Sequence, residues 1–331
     1  MPVALGWSLP SSMSFPFAGR PVLVTGGAGF IGSHVADALL ERGCEVHVLD
    51  DLSGGVRENV PEGATFHEMD LRSDAVRDLF AEHKFAAVAH LAAQMDVRRS
   101  VSDPVFDASV NVLGLLNLME AGRQHGLEKV VFASTGGAIY GEPDPEVNDG
   151  GPQPESHPQQ PLSPYGITKL VSEHYLRFYH QTYRIESVAL RFANVYGPRQ
   201  NPHGEAGVVA IFTQMLLRGD QPTINGPGTQ TRDYVFVGDV VNAVVGGLAY
   251  DGSDVFNVGT GVETDVNELF GHINVLTEAN ADELHGEAKA GEQQRSVLDT
   301  SKIREALNWS PSVGLADGLR QTVEWFKQRE N

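Results

Sequence analysis

Tyr165 and Lys169 stand four residues apart in Tyr165-Gly166-Ile167-Thr168-Lys169. They follow Ser163-Pro164, a serine suited to an N-cap and a proline suited to the first helical position. At that spacing a phenol and an ammonium share one helix face. A free tyrosine has a pKa of about 10 and is a poor base at neutral pH. A neighbouring ammonium, the helix N-terminus and a nicotinamide cation would each favour the phenolate. The expectation is therefore a lowered phenol pKa, with Tyr165 as proton acceptor and Lys169 also holding the nicotinamide ribose. The run Lys129–Ala133 ends at Ser134-Thr135. A hydroxyl there, Thr135 in first place and Ser134 in second, would share a substrate proton with Tyr165. The same residues also suit an ordinary amphipathic helix and a serine–threonine turn bonded to its own backbone.

The partner chemistry is written in Val22–His34, an apolar strand breaking into Gly26-Gly27-Ala28-Gly29-Phe30-Ile31-Gly32. Gly26 suits a tight turn, Gly29 a close approach to a pyrophosphate, and Gly32 close packing of helix on strand. Phosphates would then rest on the open amides of a helix N-terminus. Asp50-Asp51 ends the next apolar run, placed for the adenosine ribose hydroxyls. A carboxylate there repels a 2′-phosphate and favours NAD over NADP. Asp70, in Met69-Asp70-Leu71, is placed for the adenine amino group or for capping a helix at Ser73. Leu91-Ala92-Ala93 would let backbone approach the cofactor or mark close helix packing. Asn111 is a weak helix former inside a helical stretch. It either reaches Lys169 through water or backbone, or is a buried amide satisfied locally.

These residues need a scaffold. Strand-like runs at Pro21–Thr25, Glu45–Leu49, Ala64–His67, Ala86–His90 and Lys129–Ala133 alternate with helical patterns at Gly32–Arg42, Ser73–His83, Asp107–His125 and Pro164–Tyr183. That alternation predicts an α/β fold, a Rossmann-type doubly wound parallel sheet whose ligands lie at the carboxyl ends of the strands. The Pro-, Gly- and Gln-rich stretch Asp144–Pro161 is expected to border the site as a surface loop. Residues 1–18 are expected to be a poorly ordered extension and 19–190 the dinucleotide domain. Most of 191–331 would form a smaller mixed α/β substrate lobe. Segments near 234–248 and 254–258, with strands at Val235–Val237 and Asp254–Val258, would return to the large domain.

A net charge of −19 argues against nucleic acid and acidic membranes as partners, because phosphate backbones demand a basic face. The single cysteine, Cys44, excludes an intrachain disulfide and a multi-cysteine metal site, and no metal is expected. No apolar run approaches the roughly 18 residues of a membrane helix. The N-terminal residues do not resemble a secretory signal, and a cytoplasmic location is expected.

At these residues the chain resembles the extended short-chain dehydrogenase/reductase superfamily, and within it the UDP-glucose 4-epimerases. The resemblance runs from Arg20 to Gln328 and rests on Thr25–Gly32, His90–Ala93, Ser134–Gly141 and Tyr165–Lys169. It extends to Leu190–Arg199, Gln230–Val235 and Leu307–Pro311. The resemblance implies a tightly held NAD and a transient 4-keto sugar nucleotide, with Tyr165 taking the proton of the sugar 4-hydroxyl. It adds Phe30, Ile31, Asp50, Asp70 and Asn111 around the cofactor. Asn194 and Arg232 are placed at the nucleotide, and Lys289 stands where relatives carry a further diphosphate arginine, with Arg295 nearby to compensate. Ser296 occupies a position where bulk excludes N-acetylated sugars, so its small size implies acceptance of UDP-N-acetylglucosamine. A homodimer through the helices at 107–125 and 164–183 is also implied. Sister families that eliminate water or carbon dioxide place acids directly after the strand-end threonine, whereas this chain has Gly136-Gly137. A non-catalytic dinucleotide sensor would be expected to show a damaged Tyr–Lys pair.

Overall fold

In the computed structural model, which describes residues 15–202, 207–288 and 293–330, the predicted alternation is realised. The first half supplies strands β1 (Pro21–Thr25), β2 (Glu45–Asp50), β3 (Thr65–Glu68), β4 (Ala87–His90), β5 (Lys129–Thr135) and β6 (Glu186–Phe192). The second half adds β7 (Asn194–Tyr196), β8 (Thr223–Asn225), β9 (Thr231–Phe236), β10 (Asp254–Val258), β11 (Glu263–Asp265) and β12 (Leu284–Gly286). Seven strands form one parallel sheet in the order β10-β6-β5-β4-β1-β2-β3. The strand order reverses between β1 and β4, which is where a crevice opens at the carboxyl edge.

The first-half helices are α1 (Phe30–Glu41), α2 (Ala75–His83), α3 (Val97–Ser102), α4 (Pro104–Ala108), α5 (Gly114–Gln124), α6 (Gly136–Ile139) and α7 (Pro164–Tyr183). They are followed by α8 (Val208–Arg218), α9 (Val237–Ala249), α10 (Val266–Thr277), α11 (Ser301–Leu307) and α12 (Leu315–Glu330). Two apolar clusters lie in these layers. One joins Val35 and Leu39 of α1 to Val240 and Val244 of α9. The other joins Val76 and Phe80 of α2 to Leu115, Leu118 and Met119 of α5 and Leu176 of α7. The strands are apolar almost throughout, as expected where both faces of a sheet are covered. A three-stranded sheet, β11-β9-β7, and a two-stranded sheet, β12-β8, make the smaller lobe.

The structure departs from the sequence reading in three places. The helix expected over 107–125 is divided. After α4 the chain forms a π-helical turn at Ser109–Leu113, which carries Asn111, before α5 begins. Val235 does not enter the large sheet. It lies in β9 opposite Val195, and the element that returns to cover the large sheet is α9. Of the proposed N-terminal extension, residues 1–14 lie outside the described residues. Phe15 and Phe17 are buried and meet edge to face, because their rings complete the core under α1.

The strand ends are tied to α7 by a buried ion pair. Arg191 at the end of β6 donates to Glu173 of α7 through Nε (3.0 Å) and Nη2 (2.7 Å), and Ser134 of β5 donates to the same carboxylate at 2.6 Å. Arg191 Nη1 reaches the Tyr140 hydroxyl, which donates to Asn257 of β10. Removing one member of such a pair strands a buried charge. Arg191→Met is expected to cost about 3–5 kcal/mol in urea denaturation. Adding Glu173→Gln to that variant should recover a large part of the loss.

Candidate functional site

The glycine-rich turn is shaped by contacts that leave no room for side chains. Gly26 has φ of +70°, and a Cβ there would lie 2.7 Å from the Ala92 amide nitrogen. A Cβ on Gly32 would collide with the Gly26 carbonyl. The turn thus sits against the end of β4, where Ala92 donates its N–H to Thr25 Oγ1 (3.2 Å) and Thr25 Oγ1 meets His90 Nδ1 at 2.7 Å. Gly29 is the N-cap of α1 and offers no side-chain cap, and no acid stands in the first turn. The first-turn amides of Phe30 and Ile31 therefore present an uncapped positive helix end, which suits a diphosphate.

The two acids after β2 are separated by the fold. Asp50 is buried and accepts from Ala28 N (3.0 Å) and Leu52 N (2.9 Å), so it braces the glycine turn. Each carboxylate oxygen keeps a second lone pair for a ribose hydroxyl. Asp51 is exposed and turns back onto Ser53. Asp70 holds its own loop through Arg72, accepting from its backbone N–H (2.8 Å) and guanidinium (2.5 Å). Ser73 Oγ accepts from Ala75 N. Leu71 is a buried core side chain packed on Gly114. Leu91, Ala92 and Ala93 are partly buried just past β4. The open helix end, the Asp50 carboxylate and the small residues after β4 fit an adenine dinucleotide with free ribose hydroxyls.

At the other half of the crevice Ser163 Oγ caps α7 by accepting from Gly166 N (3.2 Å), with Pro164 at the first helical position. Lys169 is buried, donates to the Ala133 carbonyl at 2.7 Å, and lies 5.9 Å from the Tyr165 ring centre. Burial pulls its ammonium down to about 8, against the opposing charges of Asp107 and Glu173. The phenol moves opposite to expectation. Burial first, and the charge of Asp107 second, raise Tyr165 above its ordinary 10.0. Burial is the larger cause; the Lys169 ammonium is turned toward Ala133 and the face of Phe132 (4.7 Å), and the Asp107 carboxylate acts with the wrong sign.

That carboxylate anchors a network the sequence reading did not find. Asp107 accepts from Thr168 Oγ1 (2.9 Å), Asn111 Nδ2 (3.1 Å) and Gln94 Nε2 (3.0 Å). Asn111 also exchanges bonds with the Gln94 backbone, so its amide is satisfied by protein partners, as the second of the two expectations has it. The Asp107–Asn111 spacing of four residues was the available signal. The strand-end hydroxyls divide as well. Ser134 is buried and donates to Glu173, away from the crevice, whereas Thr135 is partly exposed and caps α6 by accepting from Ala138 N (3.3 Å).

On the small sheet Asn194 pairs with Tyr234, two residues from Arg232, so register places Asn194 and Arg232 on one face. Arg232 Nη1 donates to the Thr231 carbonyl at 2.7 Å, and the buried carboxylate of Asp233 accepts from Thr260 N, Thr260 Oγ1 and Gly261 N. Arg295 is paired with Glu263 through Nη2 (2.5 Å) and Nε (3.1 Å). Lys289 lies outside the described residues. Ser296 is buried and accepts from Asp233 N through its carbonyl, and a Cβ on Gly137 would lie 3.9 Å from its hydroxyl. The Asp144–Pro161 stretch borders this region, with Gln153 bridged to Leu298 and bonded to Val297 and Asp299.

The comparisons agree with this geometry. Residues 22–259 match the sequence profile of the NAD dependent epimerase/dehydratase family. A UDP-glucose 4-epimerase of Mycolicibacterium smegmatis is 46% identical over 314 residues, 93% of this chain and 98% of that protein. A UDP-glucose 4-epimerase of Thermotoga maritima, solved with UDP-glucose, superposes with a TM-score of 0.91 at 45% identity. It covers 94% of this chain and 100% of its own. The Thermus thermophilus UDP-glucose 4-epimerase, in complex with NAD, gives 0.86 at 47% identity over 93% and 99%.

Burial holds His90 down to about 3, with the Lys169 charge acting in the same direction. The unfolded chain then takes up a proton below about pH 6.5 that the folded chain refuses, so stability must fall as the pH falls. Between pH 7.5 and 5 this group alone contributes a loss of about 2 kcal/mol. Urea denaturation of His90→Gln should show a shallower acid slope. The residual slope would come in part from His34, which burial lowers to about 4.

Proposed function

The chain belongs to the NAD dependent epimerase/dehydratase family, and from that premise we propose that it interconverts UDP-glucose and UDP-galactose through a 4-keto intermediate. The single observation that carries this reading is the placement of Tyr165 and Lys169 of α7 against the ends of β4 and β5. The Lys169 bond to the Ala133 carbonyl, on the sheet edge where the uncapped first turn of α1 begins, supports this reading. A bound NAD would supply a hydride acceptor for the sugar carbon and a ring cation beside the phenol. Tyr165 takes the proton of the sugar 4-hydroxyl and later gives it back. Thr135 orients that hydroxyl, because Ser134 is committed to Glu173. Lys169 fixes the nicotinamide ribose and adds positive charge near the phenolate. Asp50 holds the adenosine ribose. Asn194 and Arg232, on one face of the small sheet, bind the uridine diphosphate. Residues 19–190 serve as the cofactor domain and most of 191–331 as the substrate lobe, with α9 and β10 returned to the former.

Epimerisation is favoured over elimination by packing at Gly136. Gly136 and Gly137 stand where sister families place acids, and a Cβ at 136 would have to displace the Leu298 side chain, 2.6 Å away at Cδ1. The small, buried Ser296 supports acceptance of the N-acetylated pair as well. Among the described residues no helix is long and apolar enough to cross a membrane. A cytoplasmic homodimer is the form we assign. Val105, Leu113, Ile167 and Phe178, on α4, the π-helical turn and α7, keep large apolar side chains exposed. Such surface is characteristic of association faces.

Two measurements test this. Purified protein should convert UDP-galactose to a product of unchanged mass that co-elutes with UDP-glucose, and Tyr165→Phe should lower turnover by at least about 100-fold, as for loss of a general base. A product lighter by water refutes the reading. For the assembly, Val105→Glu combined with Phe178→Glu should shift the light-scattering mass from dimer to monomer.

A further inference from the structure

Away from the crevice, on the face of the large sheet covered by α2, three imidazoles converge. His47 comes from β2, His67 from the edge strand β3 and His83 from the last residue of α2. One ring nitrogen from each lies within 4.8 Å of the others, and His47 Nδ1 stands 3.0 Å from His67 Nε2. The His47 and His67 rings stack at 5.3 Å with an interplanar angle of 3°. Nothing in the reaction uses them. His47 precedes Asp50 by three residues, about 10 Å along an extended strand and away from the carboxyl edge.

We propose that His47, His67 and His83 form a binding site for a divalent transition-metal ion of the zinc, nickel, cobalt and copper class. All three donors are imidazoles, which suit these ions and not the oxygen-seeking magnesium or calcium. Zinc–imidazole bonds of about 2.0–2.1 Å put tetrahedral ligand atoms about 3.4 Å apart, so small side-chain rotations close the observed triangle. Glu45 accepts from His47 Nε2 at 3.2 Å. A proton on Nε2 leaves the Nδ1 lone pair facing His67, which is the carboxylate–histidine arrangement that fixes ligating imidazoles in metal sites. Phe85, edge-on to His47 and stacked on His83, forms an apolar wall behind the site. His67 and His83 are partly exposed, which gives the ion an entry path and leaves its fourth position to water.

An ion held there would staple β3 and the end of α2 onto β2, under the strand end that carries Asp50. The cysteine count could not reveal it, because the ligands are single histidines on three separate elements. Metal-free, full-length protein is titrated with Co2+ and then Zn2+ at pH 7.5. The expected result is one equivalent of cobalt with the visible bands of a four-coordinate, nitrogen-ligated ion, displaced by zinc, and a zinc-dependent rise in melting temperature. His67→Gln and His83→Gln should each weaken affinity by about 100-fold or more and abolish that rise while melting normally without metal. Glu45→Gln should weaken it by about 10- to 100-fold. If a histidine variant misfolds, the wild-type cobalt spectrum and Glu45→Gln decide alone. Zinc affinity unchanged by these substitutions, an octahedral cobalt spectrum, or no binding at millimolar metal would overturn the proposal. None of these outcomes bears on epimerase activity, which is read separately.

Discussion

The carboxylate of Glu173 is the constraint on which the active half of the crevice depends. It is an interior charge, and an interior charge persists only when paired and hydrogen-bonded. Its partners are Arg191 from β6 and Ser134 from β5, one on each of two adjacent parallel strands. Glu173 stands one turn beyond Lys169 on α7, so satisfying the acid sets both the height and the rotation of that helix over the strand ends. Lys169 then meets the Ala133 carbonyl and Tyr165 follows. Arg191 carries the same constraint through Tyr140 to Asn257, whose amide holds the Gln153 and Asp299 carbonyls. One ion pair therefore links helix, sheet and the loop bordering the substrate lobe.

A second buried acid, Asp107, clamps the opposite side of α7 through Thr168. Burial of the ring, and the charge of Asp107 after it, explain why the phenol departs from the expectation based on spacing alone. Lys169 is close to Tyr165, but its own ammonium is disfavoured by burial, and Asp107 works against phenolate formation. The chain's own groups thus hold Tyr165 protonated. Proton transfer is thereby coupled to what binds against the ring, since a cation placed there supplies the missing field.

The strands and α7 were legible because their signals are local. Apolar runs bounded by glycine and charge mark β1 to β5, and Ser163-Pro164 gives the start of α7 at its observed residue. What was not legible depended on contacts distant in sequence. The π-helical turn at Asn111 exists because Gln94 and Thr168, from other elements, bind that amide. Val235 has the composition of a buried strand, but no local signal states which sheet receives it. Arg295 reads as a free cation until Glu263, across the lobe, is placed beside it. Asp50 and Asp51 look equivalent in sequence, and only the position of the Ala28 amide separates them.

The outcome of the chemistry is fixed by backbone approach as much as by catalytic groups. Asp233 draws Thr260, Gly261 and the segment ending at Leu298 together, and its own backbone N–H binds the Ser296 carbonyl. This brings Leu298 against Gly136 and Ser296 beside Gly137. Glycine is needed at 136 because a Cβ would enter the leucine side chain. The positions directly after Thr135 therefore present glycine backbone and no carboxylic acid to expel a leaving group.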